Sequence, residues 1–358
     1  PTLDAGYNWR DVDKTTAFSY SPAYNYNLTA KYNLFSGFAD KSLMVAQALT
    51  TEAQHLLLKA KKADVRLDVI NAYTALLKAQ KAVQTRHDAL ESLERSYNDT
   101  KVRYEQGIVA KNELLLIDVQ RLGAEQALVA AKSDVLRSRN NLERVTGQSL
   151  QHDEMLYEIT GSITPVDELE ALTEQMYAKR SELQALYRLR KALDEQYDAA
   201  TGSFYPRVDL SADYTVNDKA LDFGGSTVQH KEVLTTTVNV SWNLYNGRAN
   251  EAQRKQVLAQ TSSHDADIDA MKLDLRYQLV DAYEAYRVAQ SARDVAARAK
   301  ESAEENFRIT NDRYEYGDVD TLTLLQAQSD LTAARNAYNN AFYDLYVAAS
   351  AIERITGE

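Results

Sequence analysis

An internal repeat at a constant offset of 210 residues (243 − 33 = 210) constrains this chain more than any other feature. The offset joins three motif pairs: NLFSGFA at 33–39 with NLYNGRA at 243–249, RYEQG at 103–107 with RYEYG at 313–317, and ERVTG at 143–147 with ERITG at 353–357. The match runs without a gap from 33 to 147, and roughly 30% of the pairs are identical, which indicates a duplicated structural unit.

The start of each unit predicts a further segment. PTLD at the first residues resembles PRVD at 206–209, and a helical stretch over about 166–203 precedes the second copy only. If both units began alike, roughly 40 residues, together with any signal sequence, would precede Pro1 in the full-length protein. We therefore expect the first helix of the first unit to be missing from this chain.

Four stretches alternate strictly between apolar and polar residues: 3–10, 24–34, 208–216 and 237–244. A period of two predicts strands with two different faces, paired here as hairpins over 1–36 and 206–245 with polar loops near 11–21 and 218–231. Short alternating segments rich in Tyr and Trp are typical of a transmembrane β-barrel. A soluble β-sandwich with one face on a core is the alternative.

Long helices follow each strand pair. Residues 38–104 contain neither proline nor glycine, and apolar residues recur at three/four spacing from Leu56 to Leu77, which fits a coiled-coil seam. Such a helix would be about 100 Å long. A turn at 105–109 and a helix ending at Gly147 complete a hairpin, and the second unit predicts helices near 248–315 and 322–356. A solvated structural coiled coil is the alternative reading.

Composition excludes several classes of protein. The net charge of −11 makes nucleic acid a poor partner, and the absence of cysteine removes thiol chemistry and Cys-ligated metals. No apolar run is long enough for a transmembrane helix. The five histidines have no metal spacing, and no phosphate loop or hydrolase motif occurs. We expect no cofactor, no metal and no enzyme activity.

Four strands cannot close a barrel, because the smallest transmembrane barrels have eight. The chain must therefore oligomerise. Two copies would give eight strands and a filled interior, whereas three would give twelve and room for a lumen. The strand count alone does not choose, although an open pore favours three or more copies.

The duplicated order of motifs resembles the TolC family of outer-membrane channels. The matching elements are the Leu-(Phe/Tyr)-X-Gly junctions at 34–37 and 244–247, the Tyr-X-X-Gly tips at 104–107 and 314–317, and the Thr-Gly ends at 146–147 and 356–357. The resemblance implies a homotrimer with a 12-stranded barrel and an α-helical tunnel in the periplasm. Its repeats would be 1–147 and 166–358, with helical hairpins over 38–147 and 247–357 and an equatorial linker at 148–165.

The resemblance also implies a function. Members of the family are passive exit ducts of tripartite exporters, for drug efflux or type I protein secretion. A periplasmic adaptor couples them to an inner-membrane ABC or proton-driven transporter. A periplasmic adaptor itself, or a soluble coiled-coil protein, is the competing interpretation. Adaptors normally carry one hairpin and soluble barrel domains, however, whereas this chain has two hairpins.

The helical tips provide the candidate functional residues. Three copies of Asp318 and Asp320 would place six carboxylates around one axis, a ring that would favour cations; an ordinary solvated turn is the simpler interpretation. Family aspartates near this aperture correspond here to the uncharged Thr323 and Gln326, whereas Glu113 matches a family acidic position. The basic partner often found in the second tip is Val319 in this chain.

Two further sets complete the candidates. The family resemblance implies that adaptors dock around the tips, at Gly107, Gly317, Tyr104 and Tyr314. Aromatic residues of the strands would form girdles at the membrane interface, with core packing as the alternative. These are Tyr7, Trp9, Tyr24, Tyr26, Tyr32, Tyr214, Trp242 and Tyr245.

Overall fold

The computed structural model of the chain describes residues 1–10, 23–150, 156–159, 166–218 and 231–357. The predicted strand loops and most of the linker at 148–165 lie outside these ranges. Along the chain the elements are β1 (Thr2–Arg10), β2 (Ala23–Phe35), α1 (Ala39–Glu105), α2 (Lys111–Thr146), α3 (Leu169–Lys179), α4 (Ser181–Gly202), β3 (Arg207–Asp218), β4 (Lys231–Ser241), α5 (Ala249–Glu315) and α6 (Thr321–Thr356).

The long helices have the same lengths in both repeats. Helices α1 and α5 each contain 67 residues, and α2 and α6 each contain 36. Helix α5 begins at Ala249, 210 residues after α1 begins at Ala39. Helix α6 begins at Thr321, 210 residues after α2 begins at Lys111. This agreement confirms the duplicated helical unit that the sequence repeat predicts.

The chain forms two compact units, one made of 1–55 and 185–269, the other of 56–184 and 270–358. The described residues of the first unit form an antiparallel sheet in the order β1-β2-β3-β4. Its register places apolar residues opposite one another across the strands, for example Leu28 opposite both Ala5 and Tyr214. Polar residues share the other face, where Thr29 donates a 2.7 Å hydrogen bond to the carboxylate of Asp213.

Strand β4 differs from the predicted alternation. It begins at Lys231 and ends at Ser241, so that Trp242 and Leu244 follow the strand. The run of threonines at 235–237 interrupts the apolar pattern within the strand. The sequence pattern therefore predicts a strand over 237–244, which starts six residues after the observed start of β4.

The junctions between strands and long helices have the same backbone in both repeats. Gly37 and Phe38 are left-handed, and so are their counterparts Gly247 and Arg248. A β-carbon added at Gly37 would lie 2.3 Å from the carbonyl oxygen of Gly202 at the end of α4. Close packing therefore requires glycine in the first junction.

The helix expected over 166–203 is two helices, α3 and α4, which are separated at Arg180. The backbone of Arg180 is extended, although its N–H still bonds the carbonyl of Met176. A β-carbon at Gly357 would approach the backbone of Lys179 to 2.8 Å, so the end of α6 lies against this break. Neither proline nor glycine marks the break in the sequence.

The second unit is held together by small apolar clusters between the long helices. Leu93 of α1, Ile117 of α2 and Leu325 of α6 form one cluster, which places three helices in contact near the tips. A second cluster, farther from the tip, joins Ala72 and Leu76 of α1 to Leu142 of α2. Among the described residues, these two clusters join the helices at two separate levels of the hairpins.

Candidate functional site

Both helical tips are tight turns closed by glycine. Gly107 and Gly317 have φ of +73° and +80°, a conformation that glycine adopts without steric cost. After Gly107, the N–H of Ile108 bonds the carbonyl of Arg103 at 2.9 Å; after Gly317, the N–H of Asp318 bonds that of Arg313 at 2.9 Å. These bonds form the Schellman motif that ends a helix.

The two tip tyrosines have different environments. Tyr314 is buried, and its hydroxyl lies 2.8 Å from the hydroxyl of Thr100 on α1. Arg103 stacks over the Tyr314 ring at 5.0 Å and donates to its backbone carbonyl at 3.3 Å. Tyr104, the counterpart of Tyr314 in the first repeat, is 38% exposed. Only one tip tyrosine therefore joins α1 to α5.

Glu113 also joins the two hairpins. It lies in the first turn of α2 and accepts a 2.9 Å hydrogen bond from the hydroxyl of Thr321, the first residue of α6. The Thr321 hydroxyl in turn lies 3.5 Å from the hydroxyl of Tyr314. Glu113 therefore takes part in a polar connection that runs from α2 through α6 to α5.

Asp320 caps the N-terminus of α6. Its carboxylate accepts hydrogen bonds from the hydroxyl of Thr323 at 2.6 Å and from the Thr323 backbone N–H at 2.8 Å. These bonds lower the pKa of Asp320 below its ordinary value, because they favour the charged form. Asp320 is therefore anionic at neutral pH, and the predicted aperture residue Thr323 is its capping partner.

The other predicted aperture residues are exposed. Asp318 lies in the turn directly after Gly317, with its side chain exposed. Gln326 is exposed one turn into α6 and donates a 2.8 Å hydrogen bond to Asp330. Sequence reasoning overlooked Asp330, which places a carboxylate next to the position where the family resemblance expected one.

The predicted interface aromatics lie on or beside the sheet. Tyr7 and Tyr26 are directly opposite one another, with ring centroids 5.1 Å apart, and Trp9 is opposite Tyr24. Tyr32 lies opposite Leu210, and Tyr214 opposite Leu28, on the same apolar face. Five of the eight predicted girdle residues are among the large apolar side chains that are half exposed or more: Tyr7, Trp9, Tyr32, Trp242 and Tyr245.

A buried charge cluster at the break between α3 and α4 was missed by sequence reasoning. Arg354 of α6 is almost fully buried and bonds Asp64 at 2.6 Å and Glu182 at 2.5 Å. Burial disfavours the charged form of Arg354, but the hydrogen bonds that it donates to Glu182 and Asp64 outweigh burial and raise its pKa. Arg180 pairs with Glu182 at 2.9 Å, and burial lowers the pKa of Arg180.

The described ranges contain neither a helical membrane span nor a metal site. Among those residues, every helix is too polar or too short in its apolar stretches to traverse a lipid bilayer. Within the same ranges, no three His, Asp or Glu side chains are grouped so that they could bind a metal ion.

A protein-family model matches nearly the whole chain and identifies its family. The model of the family described as outer membrane efflux protein matches residues 2–148 and 161–358. The chain belongs to the outer membrane efflux protein family. The resemblance inferred from the repeated motifs is thereby confirmed.

Two relatives of this outer membrane efflux protein span most of its length. The outer membrane efflux protein BepC of Brucella suis biovar 1 (strain 1330) is 22% identical over 359 residues, which is 100% of this chain and 77% of BepC. Protein CyaE of Bordetella pertussis (strain Tohama I / ATCC BAA-589 / NCTC 13251) is 24% identical over 338 residues, covering 92% of this chain and 70% of CyaE.

A solved structure shows the same fold. The outer membrane channel MtrE of Neisseria gonorrhoeae, in its open state, superposes with a TM-score of 0.78 at 17% identity, covering 100% of this chain and 80% of MtrE. The predicted fold class, mainly helical with four strands per chain, is confirmed.

Membership places this efflux protein in the outer membrane, with its helical part in the periplasm, as an exit duct for efflux or secretion. Proteins of the family are channels, and they work with adaptors and inner-membrane transporters in tripartite systems. The two competing interpretations, a periplasmic adaptor and a soluble coiled-coil protein, are therefore excluded.

Proposed function

We propose that this protein is a passive homotrimeric duct whose three copies pool twelve strands into one barrel. The helical hairpins continue the barrel as a tunnel into the periplasm, where the tips form a gated mouth. The duct itself carries out no chemistry and needs no cofactor. Cargo is delivered by an inner-membrane ABC or proton-driven transporter through a periplasmic adaptor, for drug efflux or type I protein secretion.

The four-stranded sheet is the observation that carries this proposal. Among the described residues, β1 and β4 are its two edge strands, each paired on one side only. An open edge with one apolar, exposed face is unstable in lipid unless the backbone groups find partners. Pairing β1 of one copy with β4 of the next satisfies both edges, and three copies leave room for a lumen.

The tip carboxylates support a cation-selective mouth. Asp318 is exposed at the turn, and Asp320 is held anionic by its capping bonds. In a trimer these groups, with Glu113 and the neighbouring Thr323 and Gln326, would line the aperture. A ring of negative charge raises the local cation concentration. We propose that small shifts of α5 and α6 open this aperture.

The turns themselves are the proposed adaptor contact. Gly107 and Gly317 keep the turns narrow, and Tyr104 is partly exposed beside the first of them. Two apolar side chains project next to the glycines, Ile108 at 67% and Tyr316 at 86% exposure. Exposed apolar groups of this kind are typical of protein contact sites. Because Tyr314 is buried, we assign it to holding the tip together.

Ion selectivity in planar bilayers tests the proposal. The reconstituted protein should show small conductances that prefer cations. Asp318→Asn should lower the ratio of cation to anion permeability, whereas Asp318→Glu, which keeps the charge, should not. Complete absence of conductance, including in variants with loosened tips, would refute the duct. Unchanged selectivity in Asp318→Asn would refute the acidic mouth and leave the duct intact.

A further inference from the structure

A cleft of about 280 Å³ lies between α1, α2 and α6 in the second compact unit. Helix α1 contributes Arg86 to its lining, α2 contributes Gln120, and α6 contributes Asn336. Pockets for small molecules usually have volumes of roughly 300–1,000 Å³. The cleft therefore has room for a compact organic molecule and is too small for a drug-sized one.

Arg86 supplies the charge of this cleft. It is partly buried, and it is the only charged side chain among the described residues that line the cleft. Within the described part of the chain, Arg86 makes no ion pair and no side-chain hydrogen bond. The positions one helical turn away, 82, 83, 89 and 90, carry only alanine, valine and leucine. A partly buried guanidinium without a carboxylate beside it favours the binding of an anion.

The buried part of the lining is polar and is held in place by α1. Gln328 and Thr332 of α6 are 7% and 8% exposed. The side-chain oxygen of Gln328 accepts a 2.8 Å hydrogen bond from the hydroxyl of Ser92, and its amide nitrogen donates to the hydroxyl of Thr332 at 3.4 Å. Because the amide nitrogen carries two hydrogens, one is left for a ligand.

Gly123 leaves the cleft open on the α2 side. It lies inside a long helix, where glycine is less favourable than alanine. A β-carbon added at Gly123 would meet nothing within 4 Å, so no contact with the described residues requires a glycine there. Its counterpart in the second repeat, Ala333, also lines the cleft and is also small. The missing side chain therefore makes space beside Arg86.

We propose that this cleft binds a compact organic carboxylate, with the carboxylate on Arg86 and the apolar body of the ligand in the space over Gly123. A guanidinium donates two parallel hydrogen bonds to a carboxylate. The side-chain amides of Gln120 and Asn336 are further donors beside it. Small and apolar side chains complete the lining against the body of the ligand: Ala89, Leu93, Ala124, Ala127 and Leu325.

The site spans both helical hairpins, since α1 and α2 belong to the first and α6 to the second. A ligand that contacts all three helices favours the arrangement in which they line one cleft. The mouth proposed above opens by shifts of α5 and α6, so a bound carboxylate should oppose opening. This consequence rests on the proposed function, whereas the binding site itself does not.

Saturation-transfer NMR with benzoate tests the site in the detergent-solubilised full chain. The signal should saturate as benzoate is added, and benzamide, which has the same shape without the charge, should bind far more weakly. Arg86→Gln should weaken benzoate binding about tenfold to a hundredfold, the loss expected for hydrogen bonds to a charged group. Arg86→Lys keeps the charge without the fork and should fall between the two.

Arg66→Gln is the matched control. Arg66 is exposed on the same helix, 86 − 66 = 20 residues or about 30 Å from Arg86. The substitution removes the same charge from α1 and should leave benzoate binding unchanged. An equal loss in Arg66→Gln and Arg86→Gln would overturn the site, because it would mean that benzoate responds only to the overall charge.

Gly123→Leu gives an independent readout, because leucine fills the cleft and leaves the charge of Arg86 in place. Leucine is a better helix former than glycine, so the variant should unfold at no lower denaturant concentration than the unmodified protein. It should nevertheless lose benzoate binding. Equal binding of benzoate and benzamide, or full benzoate binding in both Arg86→Gln and Gly123→Leu, would overturn the proposed site.

Planar-bilayer recordings then test the coupling to the mouth. Benzoate should lower the conductance of the unmodified protein and leave that of Arg86→Gln unchanged at the same concentration. Benzoate binding without any effect on conductance would overturn the coupling and keep the site. A protein that binds benzoate but never conducts would refute the duct and spare the site.

Discussion

Introducing one positive charge into the sheet tests which face contacts lipid and which face lines the lumen. Leu28 is the sixth of the thirteen residues of β2, near the strand centre, and is 43% exposed on the apolar face. Its neighbour Asn27 lies on the opposite, polar face, across from Gly6 and Thr215. Leu28→Arg and Asn27→Arg therefore introduce the same charge one residue apart, on opposite faces of one strand.

The expected difference follows from the depth of Leu28. An arginine on the lipid face of a transmembrane strand near the bilayer midplane costs about 2–4 kcal/mol per chain. Since 1.4 kcal/mol is a factor of ten in an equilibrium constant, insertion should weaken about 30- to 700-fold per chain. An arginine on the polar face keeps its hydration and should cost well under 1 kcal/mol.

Tryptophan fluorescence during denaturant titration in lipid vesicles measures this difference. The chain contains two tryptophans, Trp9 in β1 and Trp242 just after β4, so the signal reports the sheet region. The midpoint for Leu28→Arg should fall far below that of the unmodified protein, while the midpoint for Asn27→Arg stays near it. Equal losses in both variants, or a larger loss in Asn27→Arg, would refute the assignment of faces.

Two further predictions concern the helices. Arg354→Ala removes a buried guanidinium, leaves the part-buried Glu182 without this partner, and should lower the free energy of unfolding by about 2–4 kcal/mol. Arg137→Ala, at a 74% exposed side chain, should change it by under about 0.5 kcal/mol. Equal effects in denaturant titrations would contradict the role of the buried arginine. The lowered pKa of Asp320 means that its charge stabilises the folded state above the ordinary pKa of 3.8, and that this contribution is lost as the pH falls through the folded value. Asp320→Asn should therefore be less stable than the unmodified protein at pH 6, and the gap should narrow as the pH falls below 3.8. A gap that does not depend on pH would reject the charged cap.

The sequence predicts long-range order well because the repeat and the alternation are periodic. The offset of 210 aligns α1 with α5 and α2 with α6, and strict alternation over 24–34 places Tyr24, Tyr26 and Leu28 on one face. These patterns follow from chain geometry alone, since a strand has a period of two and a helix a period near 3.6. Neither pattern requires knowledge of a neighbouring element.

Features that depend on tertiary partners were not predictable. The break at Arg180 has no proline or glycine, and it arises where the end of α6 lies against α3. The burial of Arg354 requires Asp64 and Glu182 from two other helices. By contrast, the cap at Asp320 could have been read from the sequence, because Asp is a preferred N-cap residue before a helix.

The aperture shows the same limit. Asp318 and Asp320 look equivalent in sequence and are both exposed, yet Asp320 caps α6 whereas Asp318 lies in the turn before it. The difference between Tyr104 and Tyr314 is also hidden, since the two RYE motifs are identical and only their neighbours differ. Sequence symmetry therefore identifies where the tips are, and packing decides what each residue contacts.

The number of chains in the membrane-extracted particle tests the central claim most directly. We expect native mass spectrometry in detergent to give three chains and the protein to require detergent for solubility. The described part of each chain supplies a four-stranded sheet with two unpaired edges. A monodisperse single chain that stays in solution without detergent would contradict the account.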